Sequence, residues 1–193
     1  MIFVTCGSSP IGFKRLMRAL EVLPASELTV QHGPAASPPC ATAYDFLPFG
    51  RVVELMQEAD LVISHAGVGS IMCALQAGHV PIVFPRLKRH GETVDDHQLE
   101  LALALAERGT VLIATTPDEL RVAVESAPRR GARRTLHGEG LNAAVRAAIR
   151  GESGRRLQRR LRSSLAPPPP AQPAGSEIVT SGPAYALTWS DDD

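Results

Sequence analysis

Apolar and polar positions divide the first two-thirds of the chain into short buried runs and amphipathic stretches in alternation. Met1–Cys6, Glu27–Gln31, Leu61–Ser64, Val80–Phe84 and Val111–Ile113 are rich in Val, Ile, Leu and Phe, the pattern of strands covered on both faces. A shorter strand is predicted within Ala43–Phe49, limited by Pro48. Helical spacing falls between these runs: Ile11–Leu23 through Phe13, Leu16, Leu20 and Leu23, then Arg51–Ala59 through Val52, Leu55 and Met56. Ile71–Ala77 follows, stopped by Gly78, and Leu99–Arg108, stopped by Gly109. Thr116-Pro117-Asp118-Glu119 reads as a last helix start, with proline at its first position and acidic groups in its first turn. The alternation predicts an α/β fold: a Rossmann-like doubly wound parallel sheet of about six strands with helices on both faces.

Two strand ends carry the candidate chemistry. Leu61–Ser64 turns through His65-Ala66-Gly67-Val68-Gly69-Ser70 into a helix. Val80–Phe84 ends at Pro85, and the polar loop Arg86–Thr93 leads to Asp95-Asp96-His97-Gln98 at the mouth of the next helix. In an open parallel sheet both segments belong to the carboxyl edge, where such folds bind ligands. Gly67 and Gly69 are expected to let backbone approach a ligand and to take turns closed to other residues. Amides at the helix start, at the positive end of its dipole, form a seat for phosphate. His65 would add a donor there, or a charge when protonated. Asp96 and Gln98 suit sugar hydroxyls, so the whole suits a sugar nucleotide.

Plainer readings stand beside these. The glycines could serve close packing, His65 could be a structural histidine, Asp96 or Asp95 an N-cap, and Gln98 a surface residue. Arg86 and Glu92, on a loop, are expected in solvent. Gly7 and Ser8 after the first strand form a diphosphate or interface loop, or a strand-to-helix turn with an N-cap serine.

The two blocks His65–Ser70 and Asp96-His97-Gln98, with the helix to Gly78 and the run Pro81–Pro85, resemble the donor-binding half of glycosyltransferase family 28. The opening Val4-Thr5-Cys6-Gly7-Ser8-Ser9, with Phe13 and Leu16, is similar too, so the resemblance covers roughly residues 1–127. It implies one half of a two-domain (GT-B) enzyme, of the kind in which this half is a separate soluble subunit beside a membrane-anchored, acceptor-binding partner. By that resemblance the activity is inverting transfer of a hexose-type sugar from a nucleotide diphosphate-sugar such as a UDP-sugar. The donor would be held by His65, Gly67, Val68, Gly69, Ser70, Asp96 and Gln98. The catalytic base is expected on the partner, with no metal or other cofactor. One position departs from the pattern: the family's ribose-gripping glutamate falls at Cys73, which cannot accept two hydroxyl protons as a carboxylate does. Either the ribose is held otherwise, or the donor differs, or donor binding is lost.

Composition adds bounds. At 193 residues and 44% hydrophobic the chain can bury one core, and with 4% aromatics that core is mostly aliphatic. No apolar run approaches the roughly 18–20 residues that cross a bilayer, and Met1-Ile2-Phe3-Val4 reads as strand and not as a signal peptide. Three widely spaced cysteines, Cys6, Cys40 and Cys73, suggest reduced thiols, and metal-ligand spacing is absent. A cytoplasmic protein, peripheral at the inner face of a membrane through its partner, is the expectation.

The net charge of zero hides three regions. Residues 1–120 carry 8 Lys/Arg against 13 Asp/Glu, residues 121–162 carry 12 Arg against 3 Glu, and residues 163–193 carry 4 acidic groups alone. The predicted division is a nucleotide-sugar-binding domain over 1–150, a basic amphipathic helix over 151–165, and a disordered proline-rich, acidic tail over 166–193. Within the first, Leu141–Ile149 is a candidate helix packed on the domain. In the second, arginines surround Leu157, Leu161 and Leu165, a helix suited to anionic lipid or to a partner. Nucleic acid is not an expected partner.

Other classes fare worse. Gly7-Ser8-Ser9-Pro10-Ile11-Gly12 lacks the Gly-x-Gly-x-x-Gly of nicotinamide enzymes, and no Gly-x-Ser-x-Gly elbow marks a hydrolase. A non-catalytic binding or assembly module that retains the fold is the alternative.

Overall fold

The computed structural model describes residues 1–128. The candidate helix Leu141–Ile149, the basic segment to Leu165 and the tail lie outside the described residues. Six parallel strands form one sheet: β1 (Ile2–Thr5), β2 (Leu28–Gln31), β3 (Thr42–Tyr44), β4 (Leu61–Ser64), β5 (Ile82–Val83) and β6 (Leu112–Ile113). Their order is β3-β2-β1-β4-β5-β6. The doubly wound α/β fold expected from the alternation is therefore present.

The pleat explains the two layers. Ile2 and Val4 of β1 face one side, where they pack with Phe13, Leu16, Leu20, Ala123 and Val124. Those residues belong to α1 (Lys14–Ala19), the turns flanking it, and α5 (Pro117–Ser126). Phe3 and Val62 face the other side and meet Leu55, Met56 and Ala74, from α2 (Phe49–Glu58) and α3 (Val68–Gln76). Val83 completes that layer with Ile71 and with Leu101, Ala102 and Leu105 of α4 (His97–Glu107). Period-2 alternation in each strand thus feeds both layers.

Several boundaries differ from the periodicity. α1 begins at Lys14, because Pro10 and Gly12 prolong the preceding turn. There Ser9 Oγ accepts from the Ile11 N–H at 3.2 Å, so this serine shapes a turn and does not cap a helix. β3 ends at Tyr44, and α2 starts directly after Pro48, two residues early. α3 starts at Val68, three residues earlier than Ile71, so Val68, Gly69 and Ser70 form its first turn. The last helix matches its sequence signal. Thr116 Oγ1 accepts from the Glu119 N–H at 3.2 Å, and Glu119 Oε2 accepts from the Thr115 N–H and hydroxyl, both at 2.7 Å.

Phe3, wholly buried at the centre of the sheet, anchors the α2–α3 layer. Phe3→Ala is expected to lower unfolding stability by roughly 3–5 kcal/mol, measured by urea denaturation followed by circular dichroism.

Candidate functional site

Strand order reverses between β1 and β4. β1 leads to α1 on one face and β4 to α3 on the other, so their loops diverge and leave a crevice at the carboxyl edge. Gly7 opens the first loop with φ +75°, in the left-handed region that favours glycine. His65 opens the second, its backbone N–H donating to the Thr5 carbonyl at 3.1 Å across the strands.

The His65 imidazole fills a slot between two glycines. A Cβ on Gly67 or on Gly7 would overlap the ring. Gly67 therefore serves packing: its φ is −81°, ordinary for any residue, so the expected special turn is not why glycine stands there. Gly69 differs, since a Cβ there would meet nothing within 4 Å. Val68 is 40% exposed, so the first turn of α3 opens outward with its amides uncapped by any side chain.

His65 is neutral at ordinary pH. Burial first, and then the positive field of Arg86, lower its pKa from 6.5 to about 4, and its Nδ1 is buried without a hydrogen-bond partner. The expected option of a charged imidazole is thereby corrected. What remains is a polar ring that can donate or accept without carrying charge.

Arg86 and Glu92 are not in solvent. Both are buried, and they form a network with Arg15 of α1. Glu92 accepts from Arg15 Nε at 3.1 Å and Nη2 at 2.8 Å, and from the Leu87 N–H at 3.0 Å. Arg15 also donates to the carbonyls of Thr115 and Pro85, and it lies over the Phe84 ring. Local pattern could not reveal this, because the partners of Arg15 stand 70 to 100 residues away in sequence.

Asp96 and Gln98 sit on the same edge. Asp96 Oδ1 accepts from the Lys88 N–H at 3.0 Å and makes no cap bond to α4, while Asp95 Oδ1 accepts from the His97 N–H at 3.2 Å. Gln98 Oε1 accepts from the Arg86 N–H at 3.2 Å. Both side chains thus brace the loop after β5. Cys73, midway along α3, packs partly against the Phe3–Leu55–Val62 cluster, and burial raises its pKa.

A cleft of about 420 Å³ adjoins the crevice on the β1–β2–β3 side. Gly7, Ser8 and Ser9 line it together with His32, Gly33, Asp45 and Phe46. His32 Nδ1 contacts the carbonyls of Gly33 and Ala35 at 2.9 and 2.8 Å, and its Nε2 lies 3.1 Å from Asp45 Oδ1. Phe46 is 66% exposed at the lip. Sequence reasoning missed this wall; the available signal was two phenylalanines, Phe46 and Phe49, on either side of Pro48 in an aromatic-poor chain. Of the expected set, Gly7 and Ser8 line the cleft, whereas His65–Ser70 and Asp96–Gln98 flank it across β1. Among the described residues no cluster of three His, Cys, Asp or Glu could hold a metal ion, and no helix is long and apolar enough to cross a membrane.

The chain belongs to the glycosyltransferase family 28 C-terminal domain, matched over residues 1–135. Among curated relatives, a UDP-N-acetylglucosamine transferase subunit ALG13 from Yarrowia lipolytica is 38% identical over 65 residues, which are 34% of this chain and 31% of that protein. The subunit of that name from Cryptococcus neoformans is 39% identical over 80 residues, 36% of this chain and 38% of the relative. The chain spans about a third of the length of these relatives. Among solved structures, the glycotransferase of kitacinnamycin has a TM-score of 0.47 at 21% identity, covering 86% of this chain and 43% of that one. The glycosyltransferase SnogD from Streptomyces nogalater has a TM-score of 0.40 at 19% identity, covering 86% and 44%.

Unfolded His65 titrates near 6.5 and the folded residue at about 4. In that window the unfolded chain binds more protons, so the contribution of the neutral ring is complete above pH 6.5 and lost by pH 4. About 3 kcal/mol of stability is expected to disappear across this window relative to His65→Gln, measured by urea unfolding at a series of pH values. Gly67→Ala is expected to displace the ring and lower the melting temperature, whereas Gly69→Ala, in open space within a helix, raises stability by up to about 1 kcal/mol; thermal unfolding of both variants checks this.

Proposed function

We propose that this chain is the donor-binding half of an inverting hexosyltransferase of GT-B architecture, working with a partner that holds the acceptor. The supporting observation is the outward-facing first turn of α3 at the strand-order reversal, next to the buried, unpartnered Nδ1 of His65. Family membership gives the reaction class, and the names of the ALG13 relatives favour a UDP-sugar donor and a subunit that acts with another.

In this reading the amides of Val68, Gly69 and Ser70 hold the diphosphate. An acceptor hydroxyl attacks the anomeric carbon, the bond from that carbon to the diphosphate oxygen breaks, and the nucleoside diphosphate leaves with the electron pair. Fixed N–H dipoles meet the charge that grows on the leaving group, and neutral His65 can donate to it. The acceptor's proton passes to a base on the partner. Asp96 and Gln98, each with one atom engaged in bracing the loop, would turn Oδ2 and Nε2 to the hexose. Gly7 and Ser8, at the floor of the cleft, would face the nucleotide or the partner. The partner would be membrane-anchored and would keep this chain at the inner membrane face.

A second reading, a binding or assembly module without transfer chemistry, is favoured by Cys73, which offers no carboxylate for a ribose. Calorimetry with a UDP-hexose or a UDP-N-acetylhexosamine, with and without the acceptor-binding partner, tests the first reading; absence of binding in both formats refutes it. Gly69→Leu separates the two. It should retain the fold within about 1 kcal/mol yet abolish donor binding and transfer, while partner association, followed by co-purification, survives.

A further inference from the structure

Arg86 follows Pro85 at the end of β5, and it is 2% exposed. Its Nη1 donates to the Ile11 carbonyl at 2.9 Å and the Glu92 carbonyl at 3.3 Å, and its Nη2 donates to the Cys6 carbonyl at 3.3 Å. The guanidinium lies 4.5 Å from the centre of the Phe13 ring. Cys6 and Ile11 bracket the turn that contains Gly7, and Gly7 is one wall of the His65 slot. The backbone of Arg86 is held in turn by Gln98 at the start of α4. One side chain therefore joins the loops after β1 and β5, which belong to opposite layers of the fold.

The balancing charge is shared. The carboxylate of Glu92 contacts the half-buried Arg15 and the Leu87 amide, and its charge also acts on the Arg86 guanidinium. The three carbonyls are divided between two nitrogens of one planar group, a spread that the single nitrogen of an ammonium does not match.

We propose that Arg86 is the positioning residue of the crevice: its guanidinium fixes the turn around Gly7 against the loop after β5, and so sets both the width of the opening and the seat of the His65 ring. The inference rests on the donor-binding reading only for what enters the opening. His65 is faced by Arg86 from the end of β5 and by the Thr5 carbonyl from β1, with the raised-pKa Cys6 thiol beside Arg86.

Arg86→Lys and Arg86→Met test it against wild type. The readouts are the His65 ring titration and the Gly7–Gly12 amide shifts by NMR, together with affinity for UDP by calorimetry. Wild-type His65 is expected to titrate at about 4. In Arg86→Met, loss of the charge and loosening of the slot should raise that value by about one unit or more. In Arg86→Lys, which keeps a charge, the turn amides should still shift, and UDP affinity should fall about tenfold or more with far-UV circular dichroism unchanged. If the methionine variant fails to fold, the lysine variant decides. Turn amides and UDP affinity unchanged in Arg86→Lys overturn the proposal, as does a His65 titration unmoved in a folded Arg86→Met. If wild type binds no UDP, only the donor-binding reading fails, because amide shifts and titration still decide the role of Arg86.

Discussion

The governing constraint is burial of the central strands on both faces. β1 and β4 have all four residues buried, so no polar side chain can work from the middle of the sheet. Polar side chains can gather only where strands end, and in a parallel sheet all carboxyl ends share one edge. His65, Arg86, Asp96, Gln98 and the Gly7 turn are brought together there by topology, whatever their separation in sequence.

Placing charge at such an edge has its own requirement. Arg15, Arg86 and Glu92 are largely withdrawn from water, and unpaired they would be strongly destabilising. Backbone carbonyls left over from the turns supply most of the acceptors, leaving only the Nε of Arg86 buried without one among these groups, so the loops hold the charges and the charges order the loops. The aromatic rings of Phe13 and Phe84, edge to face at 6.0 Å, cover the two guanidinium groups, Phe84 under Arg15 and Phe13 under Arg86.

Much of the fold was legible in the chain. Leu61–Ser64 and Val80–Phe84 declared themselves as strands through uninterrupted apolar runs, and Thr116–Glu119 spelled out a helix start. The beginning of α3 was misplaced because Gly67 and Gly69 argue against helix locally, while tertiary packing of Ile71 and Ala74 carries the helix back to Val68. The site was legible as positions and not as roles. Gly67 suggested a special backbone, yet its hydrogen accommodates an imidazole. Arg86, Glu92, Asp96 and Gln98 looked like loop polarity, because the bonds that define them cross between elements. The Phe46 cleft wall left only a compositional trace.

The ties that shape this edge span great stretches of chain: Arg15 to Thr115, Arg15 to Glu92, Arg86 to Ile11. High contact order makes such bonds late in folding, since loop closure must precede them. A nascent chain that has not yet made β6 and Thr115 would accordingly hold the sequence motifs without the full set of ties that orders this edge.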